Sequence, residues 1–149
     1  MTQLDGLKLE APIRAGIAAL ADEMRRNGGG RDDPVRSVMG LLGDRWSALL
    51  LLVLATGEWR HAGLRRITAQ LSAEQAISQR VLTQKLRALE REGFVARRTT
   101  ADVPPKVSYS LTPLGEELIA EVRRQIGWIA QRRTRIEQAR ARFDTAESD

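Results

Sequence analysis

Apolar residues recur at helical spacing along much of the chain, and the polar residues between them mark where helices start and stop. Ile13, Ile17, Leu20 and Met24 fall at i, i+4, i+7 and i+11, which predicts a helix over residues 11–26. Pro12 suits its first turn and Asn27-Gly28 its end, after which Gly28 to Gly30 form a joint. This helix is expected as an added element, docked on the domain or on a second subunit. Asp33 as N-cap and Pro34 at the first position open a second helix, with Val35, Val38, Met39 and Leu42 as its stripe and Gly43 as its stop. Asp44 is expected to cap a third helix, residues 45–55. Its run WSALLLLVLA is apolar nearly all round, the pattern of a helix at the centre of a domain. Thr56-Gly57 stops it. Glu58-Trp59-Arg60 predicts a short strand, followed by a short helix over residues 61–70 with Leu64 and Ile67 turned inward.

Residues 71–76 predict a loop or a partly helical turn. Ser78 then caps a helix that ends at Gly93. Leu82, Leu86 and Leu89 give it one apolar side, and Arg80, Thr83, Gln84 and Arg87 make the other side polar. Residues 94–99 and 107–111 have strand patterns and flank TADVPPK, so they predict a hairpin with a polar tip. Thr112-Pro113 starts a long helix to about Phe143, with Leu118, Val122, Ile126, Ile129, Ile136 and Phe143 on one side. Helix, helix, hairpin in succession predicts a mainly α fold with a small β-hairpin wing, a winged helix-turn-helix. The expected division is an extension helix and joint over 1–30, a DNA-binding domain over 31–112, and a dimerisation helix and tail over 113–149. The two terminal helices have more apolar surface than one small domain covers, which predicts a homodimer.

Composition narrows the function. The chain has 149 residues, 42% hydrophobic and 29% charged, enough for one core of useful size. A net charge of +5 favours an anionic partner, nucleic acid before membrane surface. With no cysteine, the chain has no disulfide, thiolate metal site, cysteine nucleophile or thiol sensor. The single histidine, His61, builds no histidine-based zinc site by itself. No Gly-rich phosphate loop, metal-ligand cluster or nucleophile with a paired base is visible, so no enzyme and no cofactor are expected. Met1 to Glu10 is polar and mixed in charge, unlike a signal peptide, and the apolar run from Ala48 to Ala55 is too short to span a bilayer. A cytoplasmic protein with no membrane partner is expected.

The polar side of the 78–91 helix has the residue types that read bases. Arg grips guanine O6 and N7, and Gln pairs with adenine. Ser78, Gln79, Arg80, Thr83 and Gln84 crowd the N-terminal turns, where a recognition helix makes base contacts. Between Gln75 and Lys106, seven basic residues face three acidic ones, a local charge of +4. Arg65 and Arg66 fit phosphate contacts and solvent almost equally well. A winged helix that binds protein rather than DNA is the alternative. Trp46, Trp59, Trp128 and Tyr109 are candidates to line a ligand pocket near the dimer interface, but buried aromatics usually form core; a small-molecule effector has no residue firmly assigned to it.

DPVRSVMGLLGDRWSALLLLVLATGEWRHAGLRR, ISQRVLTQKLRALEREGFVARR and VPPKVSYSLTPLGEEL together resemble the HxlR family of bacterial winged-helix transcriptional regulators. The resemblance covers Asp33 to about Trp128. It implies a homodimer on a palindromic operator, with a recognition helix in the major groove and a wing on the backbone. Those roles then fall on Ser78, Gln79, Arg80, Thr83, Gln84 and Arg87, and on Arg98 and Lys106. The chain departs from the family at Asp33, where members commonly carry a cysteine, so a thiol switch is excluded. It departs again at His61, where the family has an aromatic residue, and in the longer turn TAQLSAEQA.

Overall fold

The computed structural model describes residue 6, residues 8–73 and residues 76–149. The expectations for Met1 to Asp5 and Leu7, and for Glu74 and Gln75 in the turn, lie outside the described residues. The chain divides into two compact units between Asp44 and Arg45.

The first unit holds helix α1 (Ala11–Arg26) and helix α2 (Pro34–Leu42). Pro12 lies in the first turn of α1, and Gly28, at φ 114°, makes the left-handed turn after it. Asp33 caps α2 as its sequence predicts, its carboxylate accepting from the Val35 N–H at 2.9 Å. The apolar stripes of both helices are largely open: Ile13, Leu20, Met24, Val35 and Met39 are all exposed.

Among its described residues, the second unit has a three-stranded antiparallel sheet and five helices, α3 (Ser47–Leu54), α4 (His61–Leu71), α5 (Gln79–Arg91), α6 (Pro113–Gln131) and α7 (Arg133–Ser148). Its strands are β1 (Trp59–Arg60), β2 (Val95–Thr99) and β3 (Val107–Leu111), in the order β1-β3-β2. Val95 pairs with Leu111 and Thr99 with Val107 in the hairpin, while Trp59 pairs with Tyr109. The expected β-hairpin therefore gains a third strand from the segment after α3.

The core is where the apolar pattern places it. Leu50, Leu51, Val53 and Leu54 of α3 are buried, which is why that helix has no polar side. Around them lie Leu64, Ile77, the α5 triplet Leu82, Leu86 and Leu89, and Phe94, Val95, Tyr109, Ile119 and Val122. At about 1.5–3 kcal/mol for each fully buried aliphatic side chain, this cluster supplies the main force that fixes α5.

Three expectations are corrected. Helix α3 does not begin at Arg45 as expected. The helix begins at Ser47, with Trp46 in the cap position, helical in backbone and without a side-chain cap bond. The single long C-terminal helix is broken at Arg132, with φ −107° and ψ 11°. There the Arg132 N–H turns to the Ile129 carbonyl at 2.9 Å, an i→i−3 bond. The Trp128 carbonyl, which an unbroken helix would pair with that N–H, accepts instead from the Arg132 guanidinium at 3.0 Å. The same guanidinium lies 4.0 Å from the centre of the Trp128 ring. Trp128 is 57% exposed, so it is not part of the core.

Candidate nucleic-acid interface

Helix α5 is held from three directions. Its Leu82, Leu86 and Leu89 are buried. At its start, Ser78 Oγ accepts from the Val81 N–H at 3.1 Å, so Ser78 acts first as a cap. Just upstream, Arg65 of α4 donates from Nε to the Ile77 carbonyl at 3.1 Å. Arg65, a candidate phosphate contact in the sequence, thereby ties α4 to the entry of α5.

The outer side of α5 is open. Gln79, Arg80, Thr83, Gln84 and Arg87 line one shallow cleft together, five of the eight residues expected at the site. Gln79, Arg80, Gln84 and Arg87 are exposed and Thr83 is half-buried. Their cluster is a product of helical spacing: 80, 83, 84 and 87 follow i, i+3, i+4 and i+7.

Thr83 is the most constrained of them. Its hydroxyl donates to the Gln79 carbonyl at 2.9 Å, and His61 Nε2 lies 3.1 Å from the same oxygen. The His61 ring also stands 6.5 Å from that of Tyr109, centre to centre. Burial, and secondarily the Arg65 charge, push the His61 pKa below its usual 6.5, so the imidazole is neutral at pH 7. His61 begins α4, so this contact links the two helices of the helix-turn-helix.

The wing splits the remaining charges. Along β2 successive side chains point to opposite faces. Arg97 lines a cleft with Thr83, Arg87, Glu90, Arg91 and Tyr109, beside α5. Arg98 and Lys106 line a different cleft with Glu58, Trp59, Arg60, Thr100 and Ser108. Arg98 donates to Glu58 at 2.5 Å. The Glu58 pKa is lowered, chiefly by the Arg98 hydrogen bond and then by one from Ser108. The tip is closed by the Lys106 N–H on Thr100 Oγ1 at 3.0 Å and the Thr100 N–H on the Lys106 carbonyl at 2.9 Å. Val103 at the tip is 97% exposed.

Sequence reasoning chose Arg98 and passed over Arg97, Glu58 and His61. Strand alternation signals that Arg97 and Arg98 face opposite ways, but which way depends on the third strand. The Glu58–Arg98 and His61–Thr83 pairs join positions 40 and 22 residues apart, beyond any local pattern. Among the described residues no group of three His, Cys, Asp or Glu side chains is placed to hold a metal ion.

Residues 41–137 match the HxlR-like helix-turn-helix family. The uncharacterised HTH-type transcriptional regulator YtfH of Escherichia coli K12 is 40% identical over 96 residues, 64% of this chain and 71% of that protein. The uncharacterised HTH-type transcriptional regulator YdeP of Bacillus subtilis is 34% identical over 108 residues, 72% of this chain and 80% of that protein. Among solved structures, the ytfH protein of Salmonella typhimurium superposes with a TM-score of 0.62 at 35% identity, covering 77% of this chain and 97% of that one. The redox regulator HypR in its reduced form gives 0.59 at 35% identity, covering 71% and 99%. A mainly helical winged fold, a polar outer face on α5 and these relatives agree: the chain belongs to the HxlR-like helix-turn-helix family of transcriptional regulators.

Proposed function

We propose that this chain is a transcriptional regulator that binds a palindromic DNA operator as a homodimer and is not switched by a thiol. The observation that carries the reading is the α5 cleft. Gln79, Arg80, Thr83, Gln84 and Arg87 are presented together on a helix whose other side is locked in the core. These side chains read base edges in a major groove wide enough for a helix. Ser78, at the N-terminus of α5, adds a hydroxyl where a phosphate is favoured. Arg98 and Lys106 on the wing, with Arg97 nearer the helix, take the flanking backbone. Double-stranded DNA is the partner, and the cytoplasm, where bacterial DNA lies, is the place of action. Regulation rather than catalysis is the activity.

By function the chain divides into an extension over 1–30, a DNA-binding domain over 31–112 and a dimerisation segment over 113–149. Homodimerisation is supported by exposed apolar residues at the far end of α6: Ile126 is 46% exposed and Ile129 52%. Two-fold pairing places recognition helices roughly 34 Å apart, one turn of DNA. The absence of cysteine supports a regulator without a thiol switch, unlike a redox regulator that senses through one.

The test is selection from a library of randomised duplexes, with the wild-type chain and with Arg80→Ala. The wild type is expected to enrich an inverted repeat. Arg80→Ala is expected to lose about 1–3 kcal/mol and to relax one position per half-site. Equal weakening on all sequences would leave Arg80 a phosphate contact and defeat the base-reading role.

A further inference from the structure

We propose that Thr83 is a hydrogen-bond acceptor toward DNA, held so by His61, and that it selects an amino base, adenine or cytosine, on the strand it faces. The proposal rests on the DNA-reading assignment above and specifies its chemistry at one position.

A threonine hydroxyl has one proton to donate and two lone pairs to accept with. The Gln79 carbonyl can only accept, and it lies 2.9 Å from Thr83 Oγ1. The proton of Thr83 is therefore committed within the helix, the back-bond that Thr commonly makes to a preceding turn. His61 Nε2 lies 3.1 Å from the same oxygen. With the hydroxyl proton already placed, that contact holds only if Nε2 carries the hydrogen and donates. One lone pair of Thr83 is then occupied, and among the described residues nothing takes the second. Thr83 lines the outer cleft with Arg80 and Gln84 and also the cleft with Arg97, so the second lone pair is within reach of a ligand.

An acceptor meets only part of the major-groove code. Adenine N6 and cytosine N4 donate there, whereas guanine O6 and N7 and thymine O4 accept. A Thr83 whose proton is spent therefore pairs with adenine or cytosine and faces a lone-pair clash with guanine or thymine. His61 is a positioning residue in this scheme. Thr in a helix divides between two χ1 rotamers, and the imidazole on α4 fixes the one that turns the free lone pair outward.

The experiment repeats the library selection with full-length Thr83→Val, Thr83→Ser, His61→Phe and His61→Gln, after thermal melting has confirmed that each is folded. The wild type is expected to show one position per half-site that prefers adenine or cytosine. Thr83→Val should lower that preference by roughly three- to tenfold, the worth of one neutral hydrogen bond, and leave the other positions unchanged. Thr83→Ser should keep it. His61→Phe should weaken it, and His61→Gln, which retains a donor, should restore part of it. Overturning results are a preference unchanged in Thr83→Val, a lost preference for guanine or thymine, or uniform weakening at every position. His61→Phe equal to wild type would remove His61 from the scheme. A wild-type chain that enriches no motif would defeat the DNA-reading assignment itself, an outcome distinct from all of these.

Discussion

Arg97 and Arg98 carry the same charge one residue apart, yet the pleat of β2 sends one guanidinium toward α5 and the other toward Glu58. The Glu58 carboxylate offsets the Arg98 charge on the wing, which the proposed function assigns to phosphate. Glu58→Gln keeps the shape and removes that offset. It is expected to tighten binding to every duplex and to steepen the slope of log affinity against log salt by about 1 if Arg98 gains one phosphate contact. An unchanged slope in a salt titration would place Arg98 away from the backbone. The cluster on α5 proposed to read bases was legible as a cluster because its residues follow helical spacing on one element. Their supports were not. Nothing near His61 in the chain announces that it meets Thr83, and nothing near Arg65 that it holds the Ile77 carbonyl.

At the scale of elements, capping chemistry made several boundaries readable. Asp33, Ser78 and Thr112 each accept from a backbone N–H two or three residues on, and Pro34 and Pro113 begin their helices as expected. The start of α3 was less readable, since the helix begins at Ser47 rather than Arg45. The break at Arg132 was hidden because Ile129 and Ile136 keep an apolar spacing of seven straight across it. What marks it is a side-chain bond and a ring contact, neither of which has a periodicity. The seating of α6 was also illegible. A Cβ on Gly115 would stand 2.1 Å from the Phe94 carbonyl oxygen, and Thr112 Oγ1 donates to the Gly93 carbonyl at 2.5 Å. Backbone cannot yield as a side chain tip does. Gly115→Ala is therefore expected to destabilise the fold by roughly 1–3 kcal/mol, as overpacking does. An unaltered melting temperature would mean that α6 shifts freely against the sheet.

At the scale of the molecule, the described residues include no single helix long and apolar enough to cross a membrane. The surface instead concentrates two features: a basic, polar face on α5 and the wing, and open apolar residues at Ile126, Trp128, Ile129 and Phe143. If the second is the homodimer surface, Ile126→Glu with Ile129→Glu is expected to yield a folded monomer by light scattering, with much weaker operator binding. Cutting the chain after Glu121 is a poorer test, since it would strip buried Val122 from the core. A dimer that survives both charges would move the interface elsewhere. The central claim, that α5 and the wing read DNA, is tested most directly by fluorescence anisotropy of the full chain. The duplex is the one upstream of its own gene, set against a scrambled duplex across about 50 to 300 mM salt. The account predicts saturable, sequence-preferring binding with a log–log salt slope of roughly −4 to −8 for a dimer. Equally weak binding to both duplexes, with little dependence on salt, would contradict it.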